Sequence, residues 1–327
     1  MRQLGLFSGP SRRTTAADAE ELPLLVRARA AAAVIPDTVR FGTSSWTFPG
    51  WAGIVYRGRP SQRDLVDNGL AEYASFPLFR TVGIDRSYYA PLTDKDLATY
   101  AGDLPPDFRC AMKMWNALTT ACDPRTGAPV ATFLDATAAL HHVVEPVLRS
   151  FSRNIGPVMV EMPPMRGPQR PTPGEVAEKL DAFLGAMPRE LHFAVELRNR
   201  DLLTPEYLAV LHRRGASHVL NYWEEMPTIG RQLSVAGILT APTVVCRLLI
   251  RPGKRYDEQR EAFAPFDRLV EPDEEMRHDV GLLLDRALRE RRQVYVLVNN
   301  KAEGSSPLTA LALAEELARS LQSQGTT

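Results

Sequence analysis

The chain has 327 residues, 44% of them hydrophobic and 24% charged, a balance that excludes a disordered or fibrous protein and leaves ample material for a core without disulfides or a structural metal. Its 39 Lys and Arg equal its 39 Asp and Glu, which argues against a broad nucleic-acid footprint, although a local basic patch survives such averaging. The 3 cysteines, Cys110, Cys122 and Cys246, are scattered without a CxxC pair, as in a reducing compartment, and give no sign of a metal site.

Residues 1–14 are polar, contain Gly, Pro and Arg, and read as a loose terminus. They lack the charged-then-apolar order of a signal peptide, and no apolar run in the chain reaches membrane-spanning length. The expected location is therefore the cytoplasm, with no membrane partner. The stretch 16–34, rich in Ala, Leu, Glu and Arg, predicts a helix placed ahead of the core. Residues 1–35 thus read as an N-terminal extension and 36–325 as one domain.

From residue 39 onward, short β-favouring runs alternate with longer helical patterns. Strands are predicted over 39–45, 78–84, 108–113, 157–161, 191–196, 217–220, 243–248 and 293–298. Most are apolar without alternation, as strands buried on both faces are. Helices are predicted over 63–75, 94–100, 130–150, 174–187, 205–214, 273–291 and 307–322, with a weak helical signal at 229–239. Parallel strands need crossovers, and eight right-handed strand–helix units close into a barrel. The expected fold class is α/β, a single TIM (β/α)8-type barrel with an extra N-terminal helix; a doubly wound open sheet is the alternative. Two long loops, 115–130 and 251–272, follow strands and so belong to the catalytic face.

The segments FGTSSWTFPGW, TVGIDRSYY, CAMKMWNALTT, GPVMVEMPP, HFAVELRNRD, VCRL and VLVNNKAEGSSPLTAL occur in that order between about Arg40 and Leu311. Together they resemble the YecE-like family, catalogued as domain of unknown function 72. The resemblance implies a TIM barrel and a map of motifs, but no reaction. Relative to the family pattern, Gly83 stands where a Glu is usual and Asp85 where an Asn is. Glu161 replaces a Gln, and Asn199 follows Arg198 where a His is usual.

In such a barrel the chemistry sits at the C-terminal ends of the strands. Those positions hold Ser44, Ser45 and Trp46; Asp85, Arg86, Ser87, Tyr88 and Tyr89; Lys113 and Trp115; Glu161; Glu196 and Arg198; Asn221, Tyr222 and Trp223; Arg247; and Asn299 and Asn300. All 4 Trp (Trp46, Trp51, Trp115, Trp223) fall on this face, where they either plug the barrel mouth or form a stacking platform for flat ligands.

Glu196, Glu161 and Asp85 are the candidate catalytic carboxylates. Glu161 and Glu196 end consecutive strands and could form an acid–base pair for sugar chemistry, or be tied up with Arg198 and Arg247 in a structural network. Lys113, Arg198 and Arg247 form either an anion clamp or the charge balance for those carboxylates. The candidate substrate-binding residues are Ser45, Trp46, Trp51, Tyr88, Tyr89, Lys113, Trp115, Arg198, Asn221, Tyr222, Arg247, Asn299 and Asn300. The loop from Asn299 to Ser306 is placed to hold a phosphate at a helix N-terminus, or simply to cap that helix.

No His motif points to zinc or iron, no GxGxxG or P-loop points to a nucleotide, and no cofactor is predicted. An all-oxygen magnesium site on Glu161, Glu196 and Asp85 stays open. Three functions compete: a hydrolase or isomerase acting on a sugar or sugar phosphate; a phosphate- or nucleic-acid-binding protein or nuclease-like enzyme; and a non-catalytic barrel for a small anion or a partner protein. The favoured partner is a small polar or anionic molecule, and oligomeric state is not readable.

Overall fold

Eight short apolar runs pair side by side in parallel and close on themselves in the computed structural model, which describes residues 23–324. They are β1 (Val39–Thr43), β2 (Phe79–Ile84), β3 (Arg109–Lys113), β4 (Ile155–Glu161), β5 (Phe193–Glu196), β6 (Ser217–Tyr222), β7 (Thr243–Leu248) and β8 (Gln293–Val298). Their order around the barrel is their order in the chain, and β8 closes against β1. The fold is a TIM-type barrel, as the eightfold alternation predicts, and the open sheet is excluded by the β1–β8 ladder.

Alternate strand residues face opposite sides. One set packs outward against the helices in the main core. The other fills the barrel axis: Ala111, Met159, Ala194, Val219, Val245, Tyr295 and Leu297 form a separate, fully enclosed apolar cluster. Two residues further along each of six strands lie Lys113, Glu161, Glu196, Asn221, Arg247 and Asn299. The same inward parity that buries an apolar layer therefore delivers a charged and amide ring to the C-terminal mouth.

Helix starts follow local chemistry. Ser61, Thr93 and Thr172 each begin a helix through a reciprocal capping box with the acidic residue three positions on. Helix Pro205–Arg214 stops at Gly215, whose φ of 67° suits the left-handed cap that glycine takes without strain. Helix Pro23–Val34 precedes β1 and packs on the last helix, Ser306–Gln324, with Arg27 gripping both oxygens of Glu315 at 2.8 Å. The terminus at 1–14 and the part of the expected 16–34 helix before Pro23 lie outside the described residues.

Several boundaries differ from expectation. β1 ends at Thr43, leaving Ser44 and Ser45 in the loop, while β6 runs on to Tyr222. The helix expected over 130–150 begins only at Ala136, where the Asp135 carboxylate accepts from the Ala138 amide at 2.9 Å, and it loosens into a π turn over Leu140–Val144. The sixth connection holds only the short helix Ile229–Leu233. The loop 251–272 contains helix Tyr256–Phe263. Among the described residues, no helix is long and apolar enough to cross a membrane.

Candidate active site

The charged ring at the barrel mouth is one connected network. Glu161 and Glu196 are register partners on β4 and β5. Arg247 Nη1, from β7, reaches both: it lies 2.7 Å from Glu161 Oε2 and also donates to Glu196 Oε2. Arg198, just past β5, contacts Glu196 Oε1 at 2.6 Å and Glu161 Oε2 at 3.2 Å. Lys113 Nζ, at the end of β3, bridges Glu161 Oε2 at 3.1 Å and Asp85 Oδ1 at 3.0 Å. Glu196 and Arg247 are almost wholly buried, so this network has little water to screen it.

Burial alone would raise the Glu161 carboxyl, but Lys113, Arg198 and Arg247 outweigh it and hold Glu161 ionised, well below the usual carboxylate range. For Lys113, burial favours the neutral amine, yet Asp85 and Glu161 overcome it and keep the ammonium charged. A carboxyl held this way donates no proton near neutral pH. Of the two readings of Glu161 and Glu196, an acid–base pair or a network with Arg198 and Arg247, the contacts match the network, since both carboxylates bind the same two arginines.

The magnesium alternative meets the same obstacle, because Glu161, Glu196 and Asp85 already face lysine or arginine cations. Among the described residues, no group of three or more His, Cys, Asp or Glu side chains is arranged to hold a metal ion.

The aromatic residues divide into two kinds. Trp51 and Trp46 are core side chains: the Trp51 indole donates to Asn300 Oδ1 at 3.2 Å, and the Trp46 indole donates to the Leu65 carbonyl at 3.0 Å. Tyr222 is also buried and donates to Asp273 at 2.7 Å. These three plug and brace the barrel and present no face to a ligand.

The second kind lines the mouth, and most of it is covered by the protein's own cations. Lys113 Nζ sits 4.9 Å from the Tyr88 ring centre and the Arg198 guanidinium lies 3.9 Å from that of Trp223. Lys301 Nζ sits 4.2 Å from the centre of Tyr256. Trp223 and Tyr256 neighbour each other at 6.4 Å, so a continuous line runs from Arg198 through two rings to Lys301. Tyr89 is exposed and packs edge-on against Tyr88, and half-buried Trp115 meets His142 edge-on.

The remaining candidates are structural or peripheral. Asn221 is fully buried and donates to the Leu197 carbonyl at 2.6 Å. Asn300 Oδ1 accepts from both the amide and the hydroxyl of Ser306 at 2.8 Å, so the N-terminus of the last helix is capped from within. Of the two readings of this loop, a phosphate site or a helix cap, the hydrogen bonds match the cap. Half-buried Asn299 accepts from the Lys301 amide at 3.1 Å. Half-buried Ser45 pairs with Thr47 at 3.3 Å.

Gly83, on β2, admits no side chain: an added Cβ would lie 2.5 Å from the Ser44 carbonyl oxygen. The strands β1 and β2 lie close together there, and it is Asp85, two residues on, that pairs with Lys113.

Trp223 is one of the four Trp expected on this face, whereas Tyr256 and Lys301 are mouth residues that the strand-end positions do not include. Trp223 stands one residue past the end of β6 and Lys301 three past the end of β8, and Tyr256 lies in the long loop after β7. Lys301 is 6% exposed, and among the described residues its ammonium has no carboxylate partner. The nearby Glu303 carboxylate is committed to the Asp273 amide at 2.6 Å and to Arg277 at 2.8 and 3.0 Å. Burial pushes the Lys301 amine down to about 8, with Asp85 opposing that fall and Arg260 and Lys113 adding to it.

A closed barrel of eight parallel strands, with a buried ion cluster at its C-terminal mouth, defines a TIM-type barrel protein. The chain belongs to the family described as "Protein of unknown function DUF72", whose match covers residues 40–327. This is the family that the sequence motifs resemble.

A DUF72 family protein from Enterococcus faecalis is similar at 19% identity and a TM-score of 0.61, over 86% of this chain and 95% of that one. One from Thermotoga maritima is similar at 20% identity and a TM-score of 0.59, over 85% and 98%. At this identity the likeness shows the fold. No curated protein matches the chain significantly.

Proposed function

We propose that the barrel mouth binds a small organic anion bearing a phosphate or carboxylate, with a sugar phosphate as the class that fits the notion of a sugar-directed hydrolase or isomerase. One observation carries this reading. Arg198 Nε and Nη1 and Arg247 Nε are buried and have no hydrogen-bond partner among the described residues. A buried donor left unmade costs about 1–3 kcal/mol, and more on a charged group, so such atoms are normally paired.

Charge supports the same reading. Four cationic side chains (Lys113, Arg198, Arg247 and Lys301) face three carboxylates (Asp85, Glu161 and Glu196), leaving one cation for a ligand. Guanidinium forks suit phosphate and carboxylate oxygens. Ring stacking of a neutral glycan has less support, because Tyr88, Trp223 and Tyr256 already hold cations on their faces.

The test is a melting-temperature series on the full chain with inorganic phosphate, sugar phosphates, small carboxylates and the matching neutral sugars. The reading expects anions to raise Tm by mass action and neutral sugars to leave it unchanged, with the rise lost in Arg198→Gln. Phosphates and carboxylates are separate arms, so the preferred head group emerges directly. Equal shifts with neutral sugars, or full retention of the shift in Arg198→Gln, would overturn it.

A further inference from the structure

We infer that Lys301 is a nucleophilic amine that forms a Schiff base with a carbonyl-bearing organic anion held at the barrel mouth. The inference rests on the anion-binding reading above and deepens it, since it names a carbonyl as the second feature of the ligand.

The geometry distinguishes two lysines at one mouth. Lys113 is clamped by Asp85 and Glu161 within 3.1 Å, which keeps its lone pair protonated. Lys301, in the turn after β8, is as enclosed as Lys113, but among the described residues its ammonium has no carboxylate within ion-pair distance and lies 4.2 Å from the centre of the Tyr256 ring. A ring face tolerates both the ammonium and the neutral amine, whereas a carboxylate locks the charged form.

The turn that carries Lys301 is rigid. Gly304 has a φ of 120°, and a Cβ there would lie 2.5 Å from the Arg268 carbonyl, while the Glu303 carbonyl accepts from the Val270 and Glu271 amides at 2.7 and 3.1 Å. The groups acting on the amine are Asp85, Lys113 and Arg260 together with the Tyr256 ring. Two like groups driven apart by their surroundings are the usual mark of divided chemical roles. A lysine with a pKa near 8 has a useful neutral fraction at physiological pH, as carbonyl-condensing lysines require.

The step balances without an outside oxidant or reductant. The Lys301 nitrogen lone pair bonds the carbonyl carbon, and the carbonyl π pair moves to oxygen. The nitrogen then gives its two protons to that oxygen, which leaves as water, and a C=N bond remains. Borohydride, added as a reagent, delivers hydride to the imine carbon; solvent supplies the proton to nitrogen, and a stable secondary amine records the adduct.

The chain's 5 lysines make the assignment direct. The full-length protein is treated with glyoxylate, an anionic aldehyde, or with acetaldehyde, a neutral one of equal length, under cyanoborohydride at pH 7.5. Adducts are mapped by peptide mass spectrometry. Lys95 and Lys179 are exposed and serve as internal references, and Lys301→Arg, which keeps the charge, controls the assignment.

The expected result is that glyoxylate modifies Lys301 about tenfold or more ahead of Lys95 and Lys179, because its burial favours the neutral amine, with acetaldehyde slower at that residue. Labelling of Lys301 no faster than the exposed lysines overturns the inference. If an anion raises Tm while Lys301 stays unmodified, the inference fails and the anion-binding reading survives. If Lys301 leads equally with both aldehydes while no anion raises Tm, the amine chemistry stands and the anion reading fails.

Discussion

Glu161 and Glu196 face each other across the β4–β5 ladder and share one guanidinium nitrogen of Arg247. Sharing couples the two carboxylates: removing either partner leaves a buried charge short of its counterion. Glu196→Gln should therefore lower unfolding stability by about 3 kcal/mol, the scale for breaking a buried ion pair from one side. Combined with Arg247→Met, the loss should fall short of the sum of the two single losses by about 1–3 kcal/mol. Urea unfolding of the four proteins measures this, and additive losses would show that the shared nitrogen carries no coupling.

Lys301 should act in the opposite sense. A fall from 10.5 to about 8 corresponds to on the order of 3 kcal/mol of stability that the buried ammonium withholds. Below pH 8 both folded and unfolded chains carry the proton and the full cost applies. Between 8 and 10.5 the unfolded chain binds more protons than the folded one, so stability gains with rising pH. Lys301→Met should hence be more stable than the natural chain at pH 7, and the gap should narrow as pH climbs toward 10. A gap that stays constant with pH would mean the amine does not titrate in this range.

The barrel was legible because its signal is repeated: eight apolar runs with eight connections leave few alternatives, and one misplaced boundary such as Ser45 or Tyr222 does not alter the count. The mouth was legible as a set of positions, since Lys113, Glu161 and Glu196 each end a strand and Arg247 stands one residue before the end of its own, all at inward parity. What each residue does was not legible, because it depends on partners remote in sequence. Arg247 meets Glu161 across 86 positions, and Trp51 meets Asn300 across 249. Lys301 went unnoticed because its distinguishing property is a missing partner, and a sequence does not show that Glu303 is turned toward Arg277.

Asn300 separates structure from ligand binding in the last loop. Its amide oxygen takes hydrogen bonds from Trp51 and twice from Ser306, so Asn300→Ala releases three donors at once. The expected loss is about 1–3 kcal/mol for the cap and buried bonds together. Asn300→Asp keeps the acceptor and should recover most of it. In both variants the Tm increment produced by a bound anion should persist. A stable Asn300→Ala protein that has lost that increment would return Asn300 to the binding site.

At the other end of the barrel, His218 sets an acid limit. Its imidazole is buried near the start of β6, 3.0 Å from the Tyr207 hydroxyl, and burial lowers its pKa from 6.5 to about 4, with Gln232 opposing the fall. The folded chain therefore keeps this histidine neutral down to pH 4, while the unfolded chain protonates it below 6.5. Between those limits the unfolded state binds the extra proton, so stability falls as pH drops, by up to about 1.4 kcal/mol per pH unit from this group. His192, near the barrel's N-terminal end and lowered to about 4 by the same cause, adds a second contribution over the same window. Thermal unfolding from pH 7 to 4 should show Tm falling throughout, and His218→Gln should flatten the curve while lowering its plateau. An unchanged slope in His218→Gln would place the acid sensitivity elsewhere, with Glu161 the next group to examine below about pH 4.5, where its ionised form stabilises the fold and is lost on further acidification.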